Sequence, residues 1–172
     1  FNHRSVQEIL SMIRTLGGMV GAAKRADELV GAYENNIDRN LAQAAARSRR
    51  PKVYFEEWDT PQISGIRWVS ELITIAGGDD IFPELAVCPD GKSRIIGDPE
   101  EVIRRAPDII IGSWCGKKFR PEKVAARQGW DAIPAVQNGD LYEIKSAEIL
   151  QPGPAALTDG LEQLREIIAN WA

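Results

Sequence analysis

The chain has 172 residues, of which 44% are hydrophobic and 27% are charged, and its formal net charge is -4. This length is sufficient for one domain with a hydrophobic core, and the composition is typical of a globular protein rather than a disordered one. The acidic balance argues against a nucleic-acid-binding surface, which requires a basic field. No apolar run approaches the roughly 18 residues needed to cross a bilayer.

The ends and the rare residues restrict the chemistry further. The chain opens with Phe1-Asn2, without an initiator Met or the charged and apolar regions of a secretory leader, so we expect a removed leader or a start inside a longer protein. Cys88 and Cys115 leave both a disulfide and two free thiols open. The sole histidine, His3, excludes a histidine-rich metal site, and we expect no bound metal or cofactor.

The first 50 residues have a helical pattern. Ser5 and Glu8 have capping-box spacing ahead of an apolar periodicity that reaches Leu16. Residues 20–47 then predict one long helix of about 40 Å, at a rise of about 1.5 Å per residue. Two interpretations fit this helix: an ordinary surface helix, or a strut that runs along or between two lobes.

After Pro51 the pattern becomes an alternation of strands and helices. Strands are predicted at residues 52–55, 109–111, 133–136 and 141–144, and helices at 68–76, from Asp98, from Pro121 and from Pro154. Residues 79–97 are predicted to form a long loop. This alternation predicts a three-layer α/β sandwich in which helices flank a mostly parallel sheet.

The loops that follow the predicted strands have an unusual composition. They contain aromatic, amide and apolar residues that folding of a loop does not require: Trp58, Gln62, Ile63, Trp114, Cys115, Ile149, Leu150 and Gln151. Ligands bind beyond the carboxyl ends of strands in open α/β sheets, so these residues indicate a binding surface. The alternative is that each tryptophan packs its own loop onto the sheet.

Three stretches in order carry a resemblance to a known family. They are residues 52–82, with the turn Ala76-Gly77-Gly78 near its end, residues 98–111, with Pro99-Glu100 and Pro107-Asp108, and residues 129–142, from Gly129-Trp130 to Tyr142. Together they resemble the C-terminal lobe of the cobalamin, siderophore and haem binding proteins of ABC importers, and are most similar to cobalamin-binding proteins. In that family one long helix joins two α/β lobes, and the ligand is held between the lobes.

The resemblance implies an organisation and a function. Residues 1–18 would be the end of a missing N-terminal lobe or its connecting helix, residues 19–50 the inter-lobe helix, and residues 51–172 the C-terminal lobe. The protein would be periplasmic or otherwise extracytoplasmic and would deliver a corrinoid or another metal chelate to an ABC permease. It would contact the membrane only through that permease or through a lipid anchor on the parent protein. With half a cleft, this chain alone should bind weakly or not at all, unless it associates with itself or with a missing half.

The resemblance also assigns roles to residues. The ligand-binding set is Trp58, Gln62, Ile63, Arg94, Trp114, Cys115, Lys117, Leu150 and Gln151. The two tryptophans would lie against a macrocycle, the amides would bond its periphery, and Arg94 and Lys117 would meet a phosphate or acid groups. Cys115 would be an axial ligand or, as the commoner alternative, a small buried packing residue. Glu100 or Glu101 would dock the permease, although acids in a first helical turn also stabilise the helix dipole.

Other functions stay open. Ferric siderophore or haem could replace cobalamin as the ligand. Glu56, Glu57 and Asp59 form an acidic cluster where hydrolytic or Mg²⁺-dependent enzymes place carboxylates, but the chain lacks a phosphate-binding glycine loop and a nucleophile elbow, so we expect no enzyme. A ligand-free interaction module derived from a binding protein is the third alternative.

Overall fold

Two helices precede the sheet. In a computed structural model, which describes residues 2–171, α1 spans Val6–Met19 and α2 spans Ala23–Ala45. The predicted capping box is confirmed, since the Ser5 side chain accepts from the Glu8 N–H and the Glu8 carboxylate accepts from the Ser5 N–H. The predicted helix at 20–47 is shorter than expected, because Gly21 turns the chain with a φ of 72° before α2 begins. Its 23 residues span about 34 Å.

The sheet has five strands. They are β1 (Lys52–Asp59), β2 (Gln62–Ser64), β3 (Asp79–Asp80), β4 (Ile109–Gly112) and β5 (Leu141–Glu143), in the order β2-β1-β4-β5, with β3 beside the start of β1. The β1–β3, β1–β4 and β4–β5 pairs are parallel, and only β2 runs antiparallel to its neighbour β1. The prediction of a mostly parallel sheet is therefore confirmed.

Short helices connect the strands. They are α3 (Arg67–Ala76), α4 (Pro83–Ala86), α5 (Glu100–Arg105), α6 (Pro121–Ala125), α7 (Pro134–Asn138), α8 (Ser146–Ile149) and α9 (Leu161–Asn170), together with 3₁₀ turns at Lys92–Arg94 and Trp130–Ala132 and a π-helical turn at Ala156–Gly160. The strand predicted at 133–136 is wrong. Pro134 occupies the first position of α7, where its fixed φ favours a helix, and Gly139 ends that helix in the left-handed region. The predicted loop at 79–97 contains β3, α4 and a 3₁₀ turn.

Both faces of the sheet are covered, which completes the three layers. On one face Val53 and Ile109 pack with residues of α1, α2, α3 and α9, and on the other Tyr54 and Ile110 pack with Phe119 and others. Helix α1 belongs to the first of these cores, because its Ile9 and Leu10 are buried there. The predicted boundaries at 18 and 50 stay predictions, but α1 packs with the α/β unit. Within residues 2–171, no helix has the length and apolar character needed to span a membrane.

Gly112 has no side chain, which allows the loop after β4 to pack closely on the sheet. A Cβ at this position would overlap the ring of the buried Phe119. We expect Gly112→Ala to destabilise the fold by about 1–3 kcal/mol, the usual effect of overpacking a core. Urea denaturation followed by circular dichroism measures the change.

Gly97→Ala is the matched control, since nothing lies within 4 Å of its added Cβ. Equal unfolding midpoints for the two variants would contradict the packing argument.

Candidate functional site

The parallel strands bring three loops to one edge of the sheet. β1, β4 and β5 point the same way, so the segments that follow them lie side by side. These segments are the β1–β2 hairpin, residues 113–120 and residues 144–147. We call this region the strand-end edge.

Lys117 lies between the two predicted tryptophans. Its Nζ is 4.4 Å from the ring centroid of Trp58 and 5.2 Å from that of Trp114, and it is ion-paired with Asp59. Trp114 is only 5% exposed and meets Phe119 edge to face, with ring centroids 5.0 Å apart. Trp58 is half-buried. The structure thus joins the hairpin and the loop after β4 through one ammonium and two indole faces.

A pocket of about 610 Å³ opens beside this group. It is lined by Trp114, Gly116, Lys117, Lys118, Glu143, Ile144, Lys145, Ser146 and Ala147. We call it the strand-end pocket. Its three lysines can attract an anionic group, and Trp114 provides it with aromatic surface.

A buried carboxylate lies beneath Trp114. Glu56 is 0% exposed and accepts hydrogen bonds from the Trp114 Nε1 at 3.0 Å, the Tyr54 hydroxyl at 2.9 Å and both terminal nitrogens of Arg127 at 2.6 and 2.9 Å. Burial first, and the charge of Glu56 second, raise the pKa of Tyr54 well above its ordinary value. Burial lowers the pKa of Arg127, but the hydrogen bonds to Glu56 and the charge of Glu56 raise it by more, so the pKa of Arg127 lies above its ordinary value. The network therefore keeps one positive and one negative charge paired.

Arg94 is held inside the protein. It is 3% exposed, forms two hydrogen bonds to the Glu57 carboxylate at 2.6 and 3.0 Å, and also donates to the carbonyl of Ser64. Its role in ligand binding stays a prediction. In this structure its guanidinium links the 3₁₀ turn at Lys92–Arg94 to β1 and β2.

The acidic cluster predicted to follow the strand at 52–55 lies within β1, which extends to Asp59, and it is not a free set of carboxylates. Alternation along the strand separates its members. Glu56 pairs with Arg127, Glu57 with Arg94, and Asp59 with Lys117. Each acid thus has its own cation.

A second concave surface lies on the other side of the hairpin tip. This groove, of about 730 Å³, is lined by Asp59, Thr60, Pro61, Gln62, Ile96, Gly97, Asp98, Pro99, Glu100, Ile103, Arg127, Gln128, Gly129 and Trp130. Gln62 is mostly buried, and its Oε1 has no hydrogen-bond partner among the described residues. Ile63, the next residue, is half-buried and pairs with Ile95. Gln62 therefore faces this groove, and it is absent from the lining of the strand-end pocket.

The two candidate docking acids differ in their surroundings. The Glu100 side chain is 79% exposed at the rim of the groove, with Arg104 at 3.7 Å. Glu101 accepts from Arg105 at 2.9 Å and from Arg104 at 2.5 Å, and these hydrogen bonds lower the pKa of its carboxyl group. Glu100 is therefore the freer of the two acids to meet another molecule.

Of the nine predicted ligand-binding residues, Trp114 and Lys117 line the strand-end pocket and Gln62 lines the groove, whereas Trp58, Ile63, Arg94, Cys115, Leu150 and Gln151 line neither. Cys115 is exposed, so the expectation that it is a small buried packing residue is wrong; the loop turns it outward beside Gly116, which has a φ of 75°. Cys88 and Cys115 are both free thiols. Leu150 is partly buried against the core, and Gln151 is exposed.

The structure adds residues that the sequence prediction missed. Lys118 and Lys145 line the strand-end pocket, and Arg127 neutralises Glu56. Lys145 follows directly after the strand predicted at 141–144, so its position could have been expected. Arg127 does not follow a strand, and nothing in the sequence around it indicates that it pairs with Glu56.

Comparison with known proteins identifies the family. Residues 1–148 match the family model described as periplasmic binding protein. The chain belongs to this family. It is similar to the uncharacterized ABC transporter substrate-binding lipoprotein YvrC of Bacillus subtilis (strain 168), with 22% identity over 170 residues, which are 96% of this chain and 51% of YvrC. The family binds solutes.

Solved structures show the same fold. A possible iron-binding (periplasmic solute-binding) protein of Staphylococcus epidermidis superposes with a TM-score of 0.80 at 23% identity, covering 96% of this chain and 63% of its own. The vitamin B12 binding protein BtuF of Vibrio cholerae superposes with a TM-score of 0.71 at 19% identity. The match covers 96% of this chain and 62% of the BtuF chain. The chain thus spans about half the length of YvrC and under two thirds of these two structures.

The internal position of Arg94 gives a stability prediction for this family member. Arg94→Met leaves the half-buried Glu57 carboxylate and the Ser64 carbonyl without their donor, and the loss of these hydrogen bonds should cost about 1–3 kcal/mol. Arg104→Met is the control, because Arg104 is 52% exposed and its pairs with Asp98 and Glu101 are at the surface. We expect the control to lose no more than about 1 kcal/mol in chemical denaturation. Similar losses for both variants would contradict a structural role of Arg94.

Proposed function

We propose that this chain is one ligand-binding lobe of an extracytoplasmic substrate-binding protein that delivers a corrinoid-type metal chelate to an ABC importer. The observation that carries the proposal is the convergence of Trp58, Lys117 and Trp114 at the strand-end edge of a periplasmic binding protein fold. Folding alone does not require an ammonium group between the indole of Trp58, at the end of β1, and that of Trp114, in the loop after β4.

The chemistry of the edge suits a large, partly anionic solute. A corrinoid has a broad apolar ring, peripheral amides and a phosphate in its nucleotide loop. The half-buried Trp58 can cover ring surface at little cost in side-chain entropy. Lys118 and Lys145 can meet the phosphate, and Lys117 can do so by exchanging Asp59 for the ligand.

Haem and ferric siderophores are the alternatives within the same function. Their carboxylates suit the same three lysines, and the similar Staphylococcus epidermidis structure is described as possibly iron-binding. We favour the corrinoid because the site offers tryptophans and lysines, whereas two nearby arginines, Arg94 and Arg127, are engaged by Glu57 and Glu56.

A catalytic role is not part of the proposal. The carboxylates of Glu56, Glu57 and Asp59 are each paired with a cation, so none is poised as a general base or as a member of a Mg²⁺ site. Membership of a solute-binding family supports the same conclusion. The ligand-free module is disfavoured by the open strand-end pocket.

The chain provides one face of the site. Since it spans about half the length of YvrC, we propose that a second lobe supplies the opposite face and that affinity is lower without it. We also propose that the Glu100 side of the groove meets the permease, outside the cytoplasmic membrane.

The ligand is tested by titrating the chain with cyanocobalamin, haemin and a ferric siderophore, each followed by tryptophan fluorescence with inner-filter correction. We expect quenching by cyanocobalamin, and Trp58→Leu should weaken it by about tenfold or more, as is usual for a buried aromatic contact. Trp171→Leu is the control, because Trp171 packs against Arg49 and the core instead of the strand-end edge.

Binding of a ferric siderophore with none of cyanocobalamin would overturn the ranking of ligands. Equal effects of the two tryptophan variants would overturn the location of the site.

Docking is tested with Glu100→Ala in a transport assay with the cognate permease. Loss of an exposed charge at an interface should reduce transport several-fold and leave ligand affinity unchanged. Glu122→Ala is the matched control, since Glu122 also lies in the first turn of a short helix with a 67% exposed side chain. Unchanged transport for Glu100→Ala would show that this acid does not dock the permease.

A further inference from the structure

Glu56 receives hydrogen bonds from three separate parts of the chain. Tyr54 donates from β1 itself, Trp114 from the loop after β4, and Arg127 from the segment after α6. A carboxylate without solvent exposure is costly unless its oxygens are satisfied and its charge is balanced, and both conditions are met here.

The other tryptophans show that an indole does not need a carboxylate partner. Trp68 donates its Nε1–H to the Ile149 carbonyl at 2.8 Å, and Trp58 donates to the Thr60 carbonyl at 3.0 Å. A backbone acceptor is thus sufficient to hold a tryptophan in this fold. Trp114 instead donates to a charged group, at 3.0 Å, and hydrogen bonds to charged groups contribute more to stability than neutral ones.

We infer that Glu56 is the positioning residue of the candidate site, because its carboxylate fixes the indole of Trp114 at the wall of the strand-end pocket. The hydrogen bond holds the nitrogen end of the indole, and Phe119 holds the ring at a 66° interplanar angle. Together they leave the ring one orientation relative to Lys117. This inference rests on the proposed function of the strand-end edge.

Arg127 allows the charge of Glu56 to stay buried in this place. Its guanidinium forms a bidentate pair with the carboxylate and lies 4.5 Å from the ring centroid of Trp130. It also lines the groove on the side of Glu100. The buried carboxylate of Glu56 therefore binds one side chain of each concave surface: Trp114 of the strand-end pocket and Arg127 of the groove.

The test removes the ion pair as a unit. Glu56→Met combined with Arg127→Met eliminates both charges while keeping approximate volume, so no uncompensated charge is left in the core. In ¹⁵N-labelled protein the indole signal of Trp114 is identified by its loss in Trp114→Phe. We expect this signal to shift in the double variant and its hydrogen exchange to accelerate about tenfold, because a buried donor has lost its acceptor.

The same variant should bind cyanocobalamin about tenfold more weakly, the effect expected when an aromatic contact loses its fixed orientation. Tyr54→Phe is the matched control. It removes a different donor from the same carboxylate and leaves the bonds of Trp114 and Arg127 in place, so neither the indole signal nor the affinity should change.

An unchanged Trp114 signal in a double variant with a native backbone spectrum overturns the inference, as does a shifted signal with unchanged affinity. If the double variant does not fold, the exchange of the Trp114 indole in the unaltered protein decides: exchange as fast as that of the half-buried Trp58 overturns the inference. Failure of the unaltered chain to bind any of the three probes when its proposed second lobe is also present is a separate result, which overturns the proposed function itself.

Discussion

The structure depends on the parallel pairing of β1 with β4 and of β4 with β5. Parallel strands need helical crossovers, which cover both faces of the sheet, and they place all three carboxyl ends at one edge. The loop after β4 packs Trp114 and Phe119 on one sheet face and leaves Lys117 exposed at that edge. Residues far apart in sequence, such as Trp58 and Lys117, meet there because the strands before them are neighbours.

Charge neutralisation is the second constraint, and it acts directly beneath the candidate site. The β1 segment carries three acids within four residues, and the fold supplies a cation to each from a different element. Of these cations, Arg94 is buried inside the protein and Arg127 is half-buried beside the groove. The third, Lys117, stays accessible. The same device thus separates two cations held in the protein from one that is exposed at the strand-end edge.

The sequence predicted the layers of the fold better than the contacts of the site. The apolar run at 109–111 and the glycines after Ala76 have direct physical meaning, and both elements form as expected. The segment at 133–136 failed because an apolar run four residues long cannot distinguish a strand from a helix, and Pro134 decided it. Trp58, Trp114 and Lys117 could be predicted from their strand-end positions. The pairing of Arg94 with Glu57 could not, because it depends on tertiary distances between residues 37 positions apart.

The brevity of the outer strands has a consequence for the behaviour of this chain in concentrated solution. β2 and β5 have three residues each, and β3 has two. An unpaired row of backbone donors and acceptors is a template on which a foreign strand can add, and long flat edges promote aggregation by this route. These borders are too short to offer such a template, and on this count the folded chain should resist edge-to-edge polymerisation.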